Sequence, residues 1–193
     1  DLDDITEKLV LMEPYLGAER NNIFAPNKEF VEKELYGDEE LHLAVSKLKF
    51  NFMTNAQALL HGDLHTGSIF IKEDAIKVFD CEFGTFAPMG YDVGNVIANM
   101  IFAYVNGLAY GKEEFCKWTL ETIRDIVDKF IEKFNKKYDE AVAEPMAKVK
   151  GFKEYYLDSI LSDTAGYAGT ELHRRTVGMA NVVDVTTIGD SEK

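Results

Sequence analysis

Leu59–Glu82 reads LLHGDLHTGSIFIKEDAIKVFDCE, and the fold turns on how this stretch is parsed. Leu59 and Leu60 form a short apolar strand that leads into the polar loop His61-Gly62-Asp63-Leu64-His65. Ile69-Phe70-Ile71, the charged turn Lys72-Glu73-Asp74 and Ile76-Lys77-Val78-Phe79 then alternate as a β-hairpin should. The alternation stops at Asp80, and Glu82 follows two residues later. One carboxylate thus sits in a loop, and a second lies 17 positions on at the end of a strand.

Outward from this stretch the chain is mainly helical. Asp38 is an N-cap candidate, and Leu41, Val45, Leu48 and Phe52 form one helical stripe to about Ala56. Ordinary core packing is expected of Phe50 and Phe52. Phe83–Gly90 reads as a loop, with Gly84, Pro88 and Gly90 as breakers. Val93–Tyr110 is the longest apolar stretch, but Asn95, Asn99 and Asn106 interrupt it. A membrane span needs about 20 mostly apolar residues, so a buried core helix is expected. Lys112 to about Tyr138 is the longest amphipathic pattern, with Trp118 expected in the core. A break is expected near Pro145, then a helical region from Gly151 in which Ala165, Gly166, Ala168 and Gly169 allow close backbone approach. On the other side, Asn27 is read as the cap of a short helix over Glu29–Tyr36. Residues 1–26 read as an irregular connecting segment on the surface, and 27–193 as one compact lobe. The tail Gly189–Lys193 is expected to fray.

Composition narrows the function classes. A net charge of −13 repels phosphate backbones and anionic bilayers, so neither nucleic acid nor a membrane is expected as a partner. Cys81 and Cys116 have no metal-site spacing and no disulfide framework, which fits free thiols in a cytoplasmic protein. His61 and His65 stand four apart but flank a turn; a zinc pair at that spacing needs a helix.

The loop and strand-end carboxylates match what phosphoryl transfer requires: a base for the attacking hydroxyl, ligands for Mg²⁺, and cations for developing charge. Asp63 is the candidate base, Asp80 and Glu82 the candidate ligands of a magnesium ion that bridges ATP, and Arg174 and Arg175 the candidate cations. Kinases place an Asn five residues after the catalytic Asp; here that position is Ser68, a weaker ligand, so Glu82 is expected to take over its work.

HGDLHTGSIF at 61–70, the Asp80-Cys81-Glu82 acids, APMGYDVG at 87–94, GTELHRRTVG at 169–178 and the opening DITEKLVLMEPY at 4–15 resemble the 5-methylthioribose kinase family. That family lies within the aminoglycoside phosphotransferase and choline kinase-like group. The resemblance implies an α+β, mainly helical architecture, the C-terminal lobe of a protein-kinase-like fold. It implies transfer of the ATP γ-phosphate to the 1-hydroxyl of methylthioribose in methionine salvage. By the same resemblance Asp63 is the base, Asp80 and Glu82 bind Mg²⁺, and Arg174 and Arg175 contact the sugar. His61 braces the loop, Asp92 buttresses it through backbone hydrogen bonds, and homodimers are expected. No Gly-rich phosphate loop or paired strand lysine precedes Leu59, so an N-terminal nucleotide lobe of a parent chain is the expected partner and the isolated chain is expected to be inactive. Another small-molecule kinase of the group, or a non-catalytic truncated lobe, stays open as an alternative.

Overall fold

The computed structural model describes residues 2–189. The chain runs through helix α1 (Leu2–Leu11), the single turn α2 (Glu13–Leu16), a 3₁₀ turn at Ala25–Asn27, the short α3 (Lys28–Phe30) and a π-type turn at Val31–Leu35. Helix α4 (Glu39–Thr54) leads into β1 (Ala58–Leu59), the loop, and the hairpin β2 (Ile69–Lys72) and β3 (Ala75–Val78). Strand β4 (Phe86–Ala87) precedes α5 (Gly90–Ala109), α6 (Glu113–Ala141), α7 (Phe152–Val177) and the short α8 (Val183–Thr186).

The hairpin forms in the register that alternation requires, Ile69 opposite Val78 and Lys72 opposite Ala75. Strand β1 pairs antiparallel with β4, Ala58 opposite Ala87. The region from Phe83 to Gly90 is therefore not all loop: a two-residue strand closes a small sheet beside β1. The Asp38 carboxylate caps α4 by accepting from the Leu41 N–H at 2.9 Å. Asn27, in contrast, makes no side-chain cap bond.

The opening segment corrects the sequence reading. Residues Leu2–Leu11 are helical, and Val10, Leu11 and Tyr15 are buried rather than on the surface. Among the described side chains of α1, the buried apolar ones are Val10 and Leu11 at its C-terminal end, while Ile5 is exposed, so no sustained period shows in the sequence. Tertiary contacts hold the helix instead: Val10 and Leu11 join Phe52, Leu60, Ala87, Tyr91 and Tyr167 in one cluster, and Glu7 pairs with Lys49 of α4 at 2.8 Å. In that cluster the rings of Phe52, Tyr91 and Tyr167 meet edge-on or tilted, at 4.9 to 6.4 Å between centroids.

Helices α5 and α7 form the spine of the fold. They approach closely because α5 presents Gly90 and Gly94 to α7: a Cβ on Gly94 would stand 2.7 Å from the Thr164 carbonyl oxygen and 2.8 Å from the Ala168 nitrogen. Of the small residues singled out on α7, Ala168 lies at this contact, Gly166 faces the Leu48 side chain, and Gly169 has nothing near it. Ile97, Ala98 and Ala168 are buried between the two helices, with Ile123, Ile126 and Val127 of α6 packed alongside. Trp118 is not in this core. It is 52% exposed and stacks on Phe115 at 5.6 Å. Helix α6 buries Cys116 and Thr119, and a residue two positions beyond Cys116 points to the opposite side of the helix. Phe50 is likewise exposed, while Phe52 is buried. Among the described residues no helix is long and apolar enough to cross a membrane. Residues 190–193, most of the tail expected to fray, lie outside the described residues, as does Asp1.

Candidate active site

The loop between β1 and β2 is held by the backbone. The Leu60 N–H donates to the Thr85 carbonyl at 2.8 Å. Gly62 adopts φ +85°, and a Cβ there would lie 2.0 Å from the Phe83 carbonyl oxygen, so only glycine fits. Asp92, in the first turn of α5, accepts from the His61 N–H at 2.6 Å and the Gly62 N–H at 3.1 Å, one on each carboxylate oxygen. Burial pushes the Asp92 carboxyl above its ordinary range against the opposing pull of those two N–H groups. His61 Nε2 lies 2.7 Å from the Phe79 carbonyl oxygen, which can only accept, so this nitrogen carries the proton. Nδ1 is then the acceptor for the Asp63 N–H at 3.4 Å.

Asp63 projects from this loop onto the last turn of α7. Its Oδ1 accepts from Arg174 Nη1 at 3.0 Å and from Arg175 Nη2 at 3.3 Å. Residues 111 and 112 positions apart in the chain are thereby joined. Oδ2 has no hydrogen bond among the described residues; His65 Nε2 stands 3.9 Å away. The two guanidinium groups also grip Glu171, which is fully buried: Arg174 Nη1 at 3.1 Å and Arg175 Nε at 2.8 Å. Burial lowers the Arg174 pKa, but the charges of Glu171 and Asp63 more than offset this, so it is raised overall and stays protonated.

Asp80 follows β3 at φ +67°, a left-handed conformation that Asp tolerates better than most residues. Asp80 and Glu82 are both exposed, and neither has a hydrogen-bond or ion-pair partner among the described residues. Their oxygens are the hard donors that Mg²⁺ prefers, and two carboxylates with phosphates and water suffice for it. No three His, Cys, Asp or Glu side chains cluster as a metal cage among the described residues. Ser68 is buried, and its hydroxyl lies 3.2 Å from His65 Nε2, while His65 Nδ1 accepts from the Gly67 N–H.

Three participants escaped sequence reasoning. Glu171 was visible in principle, because it precedes Arg174 and Arg175 by three and four residues, the spacing that brings helical side chains to one face. The Phe79 carbonyl carried no signal, since any residue would supply it. Tyr91 is fully buried with its hydroxyl unpartnered, and the sequence marks it only as a helix-start residue.

Residues 13–118 match the phosphotransferase enzyme (APH) family. The chain is 39% identical over 196 residues to the methylthioribose kinase of Pectobacterium atrosepticum, covering 100% of the chain and 49% of that protein. It is 42% identical over 194 residues to the methylthioribose kinase of Exiguobacterium sibiricum, covering 99% and 48%. A third methylthioribose kinase, from Yersinia pseudotuberculosis, is 36% identical over 196 residues, covering 100% and 48%. The chain thus spans about half the length of the curated relatives it matches. With a mainly helical α+β fold of the protein-kinase-like type, and more than half its length matching the family, the chain belongs to the APH phosphotransferase enzyme family.

Proposed function

We propose that this chain carries the acceptor side of the active site of a small-molecule sugar kinase, which transfers the ATP γ-phosphate to the 1-hydroxyl of 5-methylthioribose. The observation that carries this reading is the division of labour at Asp63. Oδ1 is held by two guanidinium groups and Oδ2 is open, in a chain similar throughout to methylthioribose kinases. A carboxylate held on one side and free on the other is suited to orient a hydroxyl and accept its proton.

In this mechanism Asp63 Oδ2 takes the proton of the attacking sugar hydroxyl. Arg174 and Arg175 fix Asp63 and present donors to the sugar beside it. Asp80 and Glu82 would hold magnesium, which supplies charge neutralisation on the transferred phosphate. The Ser68 hydroxyl, buried and held by His65, leaves the two exposed acids as the better-placed ligands. Asp92 and His61 keep the loop in register through the backbone.

The hairpin's Ile71 and Ile76 stand opposite one another on one face and are both more than 60% exposed, which supports an N-terminal nucleotide lobe as the part that covers this face and completes the ATP site. The cytoplasm as location and a homodimer as assembly belong to the same proposal.

The test is phosphorylation of methylthioribose, read by ADP release, with the full-length protein beside the isolated chain and a panel of aminoglycoside, choline and sugar acceptors. Asp63→Ala in the full-length protein should lower kcat by about 10²- to 10⁴-fold while the fold is kept. Undiminished turnover in that variant, or turnover by the isolated chain at a rate typical of kinases, would overturn the proposal.

A further inference from the structure

Consecutive residues on a helix point about 100° apart, so Arg174 and Arg175 would diverge if left to the backbone. In this protein they converge on a single atom, Oδ1 of Asp63. What draws them together is Glu171, one turn earlier on α7. Its Oε2 accepts from Arg174 Nη1 at 3.1 Å and its Oε1 from Arg175 Nε at 2.8 Å. The spacing i,i+3 and i,i+4 allows one carboxylate to take both. Glu171 is fully buried, and a buried carboxylate is retained only where its charge is matched. Here the four charged groups, Asp63, Glu171, Arg174 and Arg175, sum to zero.

We infer that Glu171 is a positioning residue that makes Arg174 and Arg175 one clamp on the acceptor side of Asp63. The inference rests on the kinase reading above and adds a residue to it. Arg174 Nη1 is shared between the Glu171 and Asp63 carboxylates, so its donor direction is fixed from both sides. Arg175 uses Nε on Glu171 and Nη2 on Asp63, so one planar fork spans both carboxylates and its rotation is locked. Both oxygens of the Glu171 carboxylate are taken by these arginines, so it acts on the sugar side through them.

The experiment compares the full-length kinase with Glu171→Gln. The amide offers one acceptor, so only one guanidinium stays held, and its NH₂ faces the other. Expected is a loss of about 10- to 100-fold in kcat/KM for methylthioribose, the range for removing a group that orients a ligand-holding side chain. The sugar KM rises, and the KM for ATP stays unchanged. A merely structural Glu171 lowers the melting temperature but leaves both KM values alone in the folded fraction, and that result overturns the inference. If Glu171→Gln does not fold, Glu171→Asp keeps the buried charge but withdraws the carboxylate by one methylene. A raised sugar KM in that variant supports the clamp, and an unchanged one overturns it. Should the unaltered kinase phosphorylate methylthioribose while Glu171→Gln matches it, the clamp fails and the function stands. Should the unaltered kinase fail to phosphorylate methylthioribose, both fall.

Discussion

Replacing Gly62 by alanine tests whether the loop that presents Asp63 is fixed by its backbone. Two costs add at this position. The first is conformational: at φ +85° an L side chain is strained, which costs about 1–3 kcal/mol. The second is steric. The new methyl group would lie 2.0 Å from the Phe83 carbonyl oxygen and 2.6 Å from its carbon, and the obstacle is backbone rather than a flexible side-chain end. Forcing atoms into occupied space costs a further ~1–3 kcal/mol. The sum is about 2–6 kcal/mol, and at about 2–4 °C per kcal/mol for a chain of this size the melting temperature should fall by roughly 10 °C. Gly111 supplies the internal control. It also has positive φ, +65°, but nothing lies within 4 Å of its would-be Cβ, so Gly111→Ala pays only the conformational cost. Urea denaturation followed by circular dichroism gives both values, and their difference isolates the clash with Phe83. Equal destabilisation by the two substitutions would refute the claim that the Phe83 carbonyl occupies the space beneath the loop.

Trp118→Ala should cost less than about 1.5 kcal/mol by thermal or urea unfolding, well under the ~3–5 kcal/mol of a core aromatic, because the indole is half-exposed. A ¹³C NMR titration should find the Asp92 carboxyl above its ordinary 3.8, since burial outweighs the N–H groups of His61 and Gly62. With the folded value raised, the native state binds the proton first as pH falls. The stability linked to this group is therefore full below 3.8 and is lost as pH rises through the folded value. A measured value at or below 3.8 would mean that the two N–H bonds win.

Much of this arrangement is written locally in the sequence. The hairpin is legible because Ile69–Lys72 and Ala75–Val78 alternate around a charged turn, and alternation fixes both type and register. Helices α5, α6 and α7 are long enough for their apolar patterns, or the breaks beside them at Pro145 and Gly151, to show. Helix α1 is not legible, because the contacts that hold it come from α4 and α7, far along the chain. Strand β4 is two residues long and gains its identity only from β1 opposite. Trp118 misleads because it falls on the apolar trace of the amphipathic pattern, while the fully buried positions of α6 are the small residues Cys116 and Thr119. At the site, Asp63, Arg174 and Arg175 could be named from the sequence, but not their convergence. The chain places them more than 100 positions apart, and Glu171 draws the arginines into line from a buried position that composition does not reveal.

The loop carboxylate and the strand-end carboxylate are mechanically one unit, and His61 is the piece that joins them. Its Nε2–H is committed to the carbonyl of Phe79, the residue immediately before Asp80. Its Nδ1 accepts from the backbone of Asp63 itself. The Phe79 N–H donates in turn to the Ser68 carbonyl at 3.1 Å, so the end of β3 is tied back to the start of β2. One imidazole thus ties the backbone of Asp63 to the carbonyl that precedes Asp80.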